Sequence, residues 1–158
     1  MGVKRTYEEE ANNLRRAIDI AIEAFKKYPP NGYDENNIKQ IINFYLMWRN
    51  STIDAEPKYR NLRSLKYVIE DAFTFFQESS GKTVDFFWDE ISKNNLPYKR
   101  ENKVKKILKR GKINNDIEYQ FVTDIIVAYR QVGLIDDNDV TNLSNMLGKF
   151  ESKARVKK

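Results

Sequence analysis

The chain contains neither cysteine nor histidine among its 158 residues. Without cysteine it can form no disulfide, no thiolate metal site and no cysteine nucleophile, and a reduced cytoplasm is the expected compartment. Without histidine it loses the usual general base near neutral pH and the commonest transition-metal ligand. Serine triads, zinc hydrolases and histidine-dependent nucleases fall away together. Any enzyme built on this chain would have to use carboxylate, lysine or tyrosine chemistry.

Long apolar runs are also missing. Met1 to Glu10 holds no stretch of signal-peptide length, and no later segment approaches the ~18 uncharged apolar residues of a membrane span. Neither export by that route nor a membrane span is expected. Residues Met1 to Thr6 fit the short M-G-x-x-x-[ST] acylation pattern, but Thr6 is better employed as a helix cap. No segment alternates apolar with polar residues, and no Asn-Gly or Asp-Gly lies between β-branched runs, so no strands are expected. Only 6 glycines and 4 prolines occur, and they fall where helices should stop.

What the sequence does have is helical periodicity from end to end. The spacing predicts an all-α chain of about seven helices. The first runs from Thr6 to Tyr28, opened by a Thr6/Glu9 capping box, with Leu14, Ile18, Ala21, Ile22 and Phe25 on one face. Asp34 caps a second helix through about Asn50. Its buried stripe is Ile38, Ile41, Ile42, Tyr45 and Trp48, and the further apolar residues Phe44, Leu46 and Met47 imply burial on more than one side.

A third, central helix is expected over about Lys58 to Gln77, with Leu62, Leu65, Ile69, Phe73 and Phe76 inward. A short fourth, capped by Thr83, carries Val84, Phe87, Trp88 and Ile91. A fifth spans about Arg100 to Arg110, on Val104, Ile107 and Leu108. The sixth opens with an Asn115/Glu118 capping box and carries Ile117, Phe121, Ile125, Ala128, Tyr129 and Val132. Asp136 caps the seventh, with Val140, Leu143, Leu147 and Phe150 inward, and the short Gly133 connection predicts that the last two helices form an antiparallel hairpin.

A chain of this length buries roughly 70% of its unfolded surface, enough for a core without help. Residues 1–151 are expected to form a single domain, with a weaker sub-boundary at residues 96–98 where composition and charge change. Residues 152–158 read as a frayed basic tail.

Three short motifs imitate functional sites and fail on spacing. Gly81-Lys82-Thr83 has the ending of a phosphate-binding loop, but Phe76 stands where that loop needs its first glycine and no strand precedes it. Asp136-Asp137-Asn138-Asp139 starts like a calcium loop, but Thr141 and Leu147 occupy the glycine and bidentate-acid positions, so it reads as an acidic helix start. Asp19/Glu23 and Asp85/Asp89 are carboxylate pairs at helical spacing, and such pairs ordinarily sit on solvated faces. No catalytic residue, metal ligand or cofactor is assigned.

The net charge of +5 is concentrated at one end. Residues 1–98 carry 14 Lys/Arg against 15 Asp/Glu, whereas residues 99–158 carry 14 against 8. Between Lys99 and Lys112 there is one acid, Glu101. Lys99, Arg100, Lys103, Lys106, Arg110 and Lys112 are the candidate binding residues, and helical spacing puts 99, 103, 106 and 110 on one face able to track phosphates or an acidic surface. Lys153, Arg155, Lys157 and Lys158 would extend this surface if the C-terminus folded back. Tyr98 is the one aromatic beside the cluster able to stack on a base. Tyr33, Phe44 and Tyr59 are the aromatics expected to stay exposed, as anchors for a protein partner.

These features point to a non-catalytic, cytoplasmic protein-binding domain of the inhibitor, immunity or adaptor kind. The alternative is a nucleic-acid-binding domain that uses residues 99–112 and the basic tail.

Overall fold

A computed structural model describes residues 6–156. Among them are seven α-helices, one turn of π-helix and one of 3-10 helix, with no strand. The helices are α1 (Tyr7–Lys27), α2 (Glu35–Trp48), α3 (Leu62–Glu78), α4 (Lys82–Lys93), α5 (Lys105–Arg110), α6 (Asp116–Gln131) and α7 (Asp137–Val156). The chain forms an all-α structure that divides into two compact units. The first comprises Met1–Gln77 with Gly81–Arg100, and the second Glu78–Ser80 with Glu101–Lys158. The acylation pattern lies largely outside the described residues, as do Lys157 and Lys158.

In the first unit, α1 begins where its cap dictates. The Thr6 hydroxyl accepts from the Glu9 amide at 3.2 Å, and the Glu9 carboxylate accepts from the Thr6 amide at 3.4 Å, satisfying two donors the helix leaves open. One face of α1 is buried from Ala11 to Phe25, and its alanines at 11, 17, 21 and 24 let α2 and α4 approach closely. Aromatic rings fill the remaining space. Phe76 of α3 stacks on Phe87 of α4 at 3.9 Å, and Phe25 meets Phe75, Phe76 and Tyr45 at 5.1 to 6.0 Å. Each buried ring contributes about 1.5–3 kcal/mol of transfer free energy. The Tyr45 hydroxyl, buried with its ring, donates to the Ala72 carbonyl at 2.7 Å.

Several boundaries differ from expectation for local reasons. Pro57 opens a 3-10 turn (Pro57–Tyr59), Arg60 is extended, and the Asn61 side chain accepts from the Ser64 amide at 2.8 Å, so α3 starts at Leu62. Leu62 is consequently exposed. Thr83 does not cap α4. Gly81 occupies the cap position, and the Thr83 hydroxyl donates to the Tyr28 carbonyl instead. Only Tyr45 of the expected α2 stripe is fully buried, while Ile38, Ile41, Ile42 and Trp48 are half-buried.

The second unit has its own core of Val104, Ile107, Ile113, Val122, Ile125, Tyr129, Ile135, Leu143 and Met146. Tyr119, in the first turn of α6, stacks on Phe150 near the end of α7, and its hydroxyl donates to Glu151. At the other end Arg130 of α6 bonds Asp137, the first residue of α7, at 2.6 Å. Contacts crossed in this way require the two helices to run in opposite directions. Ile117, expected inward, is 82% exposed. Helix α7 continues to Val156, through most of the segment read from the sequence as a frayed tail.

Candidate functional site

Helix α5 spans Lys105 to Arg110 and no further back. The Asn102 side chain accepts from the Val104 amide and donates to the Leu134 carbonyl, both at 3.1 Å, and the Lys99 carbonyl accepts from the Gln77 side chain at 2.8 Å. These bonds commit backbone groups that a helix would need. Residues 99–104 are therefore irregular, and the expected shared face of Lys99, Lys103, Lys106 and Arg110 does not form. Lys99, which is exposed, and Arg100, which is half-buried, belong to the first unit, whereas Lys103 to Lys112 belong to the second.

The helical cations that do share a face are Lys105, Lys106, Lys109 and Arg110. At about 100° per residue they lie opposite Val104, Ile107 and Leu108, which pack on the core. Arg110 is committed within the fold. Its guanidinium grips both Glu118 carboxylate oxygens at 2.6 and 2.8 Å and reaches the Lys112 carbonyl at 3.0 Å. Glu118 also accepts from the Asn114 amide at 2.8 Å rather than completing a box on Asn115. The Arg110 guanidinium, and then the Asn114 amide, hold the Glu118 carboxyl below the ordinary range.

By contrast, Lys103, Lys105, Lys106, Lys109 and Lys112 are exposed and form no ion pair with any described residue. Lys112 and Lys153 line one open hollow of about 490 Å³ with Ile113, Asn114, Asn115, Asp116 and Phe150. The end of α7 does return to the basic segment.

The second candidate surface is α2. Phe44 is 55% exposed and Met47 50%, and the two are neighbours one turn apart on the same flank. Leu46 is exposed on the opposite flank. Below Phe44 opens a groove of about 210 Å³ lined by Tyr33, Ile41, Trp48, Phe75 and Asp71, with Phe25 and Tyr45 at its floor. The apolar surplus of α2 is therefore outward surface rather than a second buried side. Tyr33 is exposed at the groove's edge, and Tyr59 is exposed elsewhere, on the 3-10 turn. Tyr98 is not available for stacking on a base. It is half-buried, with its ring edge-on to Phe73 at 4.7 Å.

No family model, curated protein or solved structure matches this chain. Its own residues must therefore carry the functional reading. The acidic pairs offer little. Asp19 accepts from Arg49 at 2.7 Å, Glu23 pairs with Lys27 at 2.9 Å, and Asp89 with Lys93 at 2.8 Å, all on solvated faces. Asp136 and Asp139 exchange amide and carboxylate bonds at the start of α7, the work of a cap. Among the described residues no group of three acids gathers as a metal site, and no helix is long and apolar enough to cross a membrane.

Proposed function

We propose that this protein is a non-catalytic binding domain that forms a stoichiometric complex with a protein partner through the α2 face of its first unit. The observation that carries this reading is the outward apolar surface of Phe44 and Met47 beside the groove at Tyr33, Trp48 and Phe75. Side chains that stabilise the monomer would be inside, and clustered exposed apolar residues beside a groove are the ordinary mark of a protein contact. Asp71 lies on the groove lining and pairs with no cation among the described residues. The fitting partner presents an apolar anchor with a Lys or Arg beside it. Inhibitors, immunity proteins and adaptors of the cytoplasm act by such complexes.

The test is a paired capture with the wild-type chain and F44D/M47D, followed by reconstitution of any captured partner from purified components. A 1:1 complex with a negative heat-capacity change of binding, weakened at least tenfold in F44D/M47D, is the expected result. A partner that binds the variant equally well would sink the assignment of this face. Wild-type self-association that the variant lacks would identify the partner as a second copy of the chain.

A further inference from the structure

The second unit carries a separate surface whose chemistry fits a different ligand. Lys105, Lys106 and Lys109 project from the solvent face of α5, Lys103 stands in the turn before it, and Lys112 follows it. Arg110, one turn beyond Lys106, is tied to the Lys112 carbonyl, which carries the cationic face of the helix into the loop. Lys153 of α7 then joins Lys112 at the same hollow. Three acids adjoin this run: Glu101 stands two residues before Lys103, Glu118 is occupied by Arg110, and Asp116 lines the hollow.

Helix stability accounts for only part of this arrangement, because Lys109 and Arg110 in the last turn suit the negative end of the dipole. Lysines in the first turn of a helix face the positive end of its dipole, and like charges at this spacing repel. Lys105 and Lys106 are therefore placed against local electrostatics rather than for it. We propose that this lysine surface of the second unit binds the phosphate backbone of a nucleic-acid duplex without regard to sequence.

The rest of the surface narrows the ligand. The apolar residues of α5 face the core, so the basic helix has no apolar side to insert into a bilayer. Base readout from a single strand needs exposed rings, but in this unit Tyr119 is stacked on Phe150 and Tyr129 is buried. Lysine ammonium groups, each a mobile point charge, suit repeated phosphate contacts better than the planar recognition of a particular carboxylate.

The test uses the full chain against a short duplex, the matching single strand and vesicles of anionic lipid, across a salt series. The comparison variant has Lys105, Lys106, Lys109, Lys112 and Lys153 changed to Gln. If all five reach phosphates, wild-type affinity attributable to them falls about 500-fold between about 50 and 200 mM salt, and the log–log slope flattens by about 0.9 for each phosphate that the variant leaves without its lysine. F44D/M47D should bind the duplex like the parent, which separates this surface from the α2 face. No duplex binding at low salt, a slope unchanged in the lysine variant, or preference for the single strand or the vesicles would each overturn the proposal.

Discussion

Glu118 accepts the Arg110 guanidinium through both carboxylate oxygens and an amide besides, so its ionised form is favoured in the folded chain. A carboxyl whose folded pKa is depressed stabilises above its unfolded value, about 4.3, and the contribution is lost as pH falls through the folded value. Glu118→Gln should therefore cost about 1 kcal/mol at pH 7 and progressively less below about pH 4, until the two denaturation curves converge. Parallel curves across that range would show that the pair contributes nothing to stability. Gly81 offers a second test at a single residue. Its φ of 111° with ψ of −176° is a conformation essentially confined to glycine, and an added Cβ would meet nothing within 4 Å. Gly81→Ala should thus cost about 1–3 kcal/mol through backbone strain alone, read from chemical denaturation. The sequence marked Gly81 as a helix stop but held no sign that it would itself cap α4 in place of Thr83.

At the scale of the element, α2 and α3 show the difference between apolar residues that hold the fold and those that do not. Phe76 is fully buried between Phe25 and Phe87, whereas Phe44 lies over half exposed on α2. Phe76→Ala should destabilise by about 3–5 kcal/mol and Phe44→Ala by under about 1 kcal/mol, measured by urea unfolding. Comparable losses at both positions would mean that the outer flank of α2 is part of the core and not a contact surface. Periodicity identified α2 and its apolar excess, but it could not distinguish a helix buried on two sides from one with a face left open. The same limit governed α5. Spacing could place Lys99 and Lys103 in phase with Lys106, but the bonds of Asn102 and the Lys99 carbonyl, made to distant residues, stop the helix at Lys105.

For the whole molecule, the uneven charge of the sequence becomes a division between units. The apolar face and its groove belong to the first, and the lysine surface to the second. The two proposed activities should therefore respond independently: F44D/M47D should weaken the protein complex at least tenfold and spare duplex binding, and the lysine variant should weaken duplex binding and spare the protein complex. Loss of both in either variant, with the fold intact by circular dichroism, would merge the two surfaces into one. The all-α class, most helix caps and the basic end of the chain were legible in the order of residues alone, because these depend on interactions within four residues and on composition. Which apolar residues stay outside, that Arg110 is held by Glu118, and where Lys153 meets Lys112 emerge with the packing of the helices. Those outcomes depend on groups in different elements competing for the same space and the same hydrogen bonds.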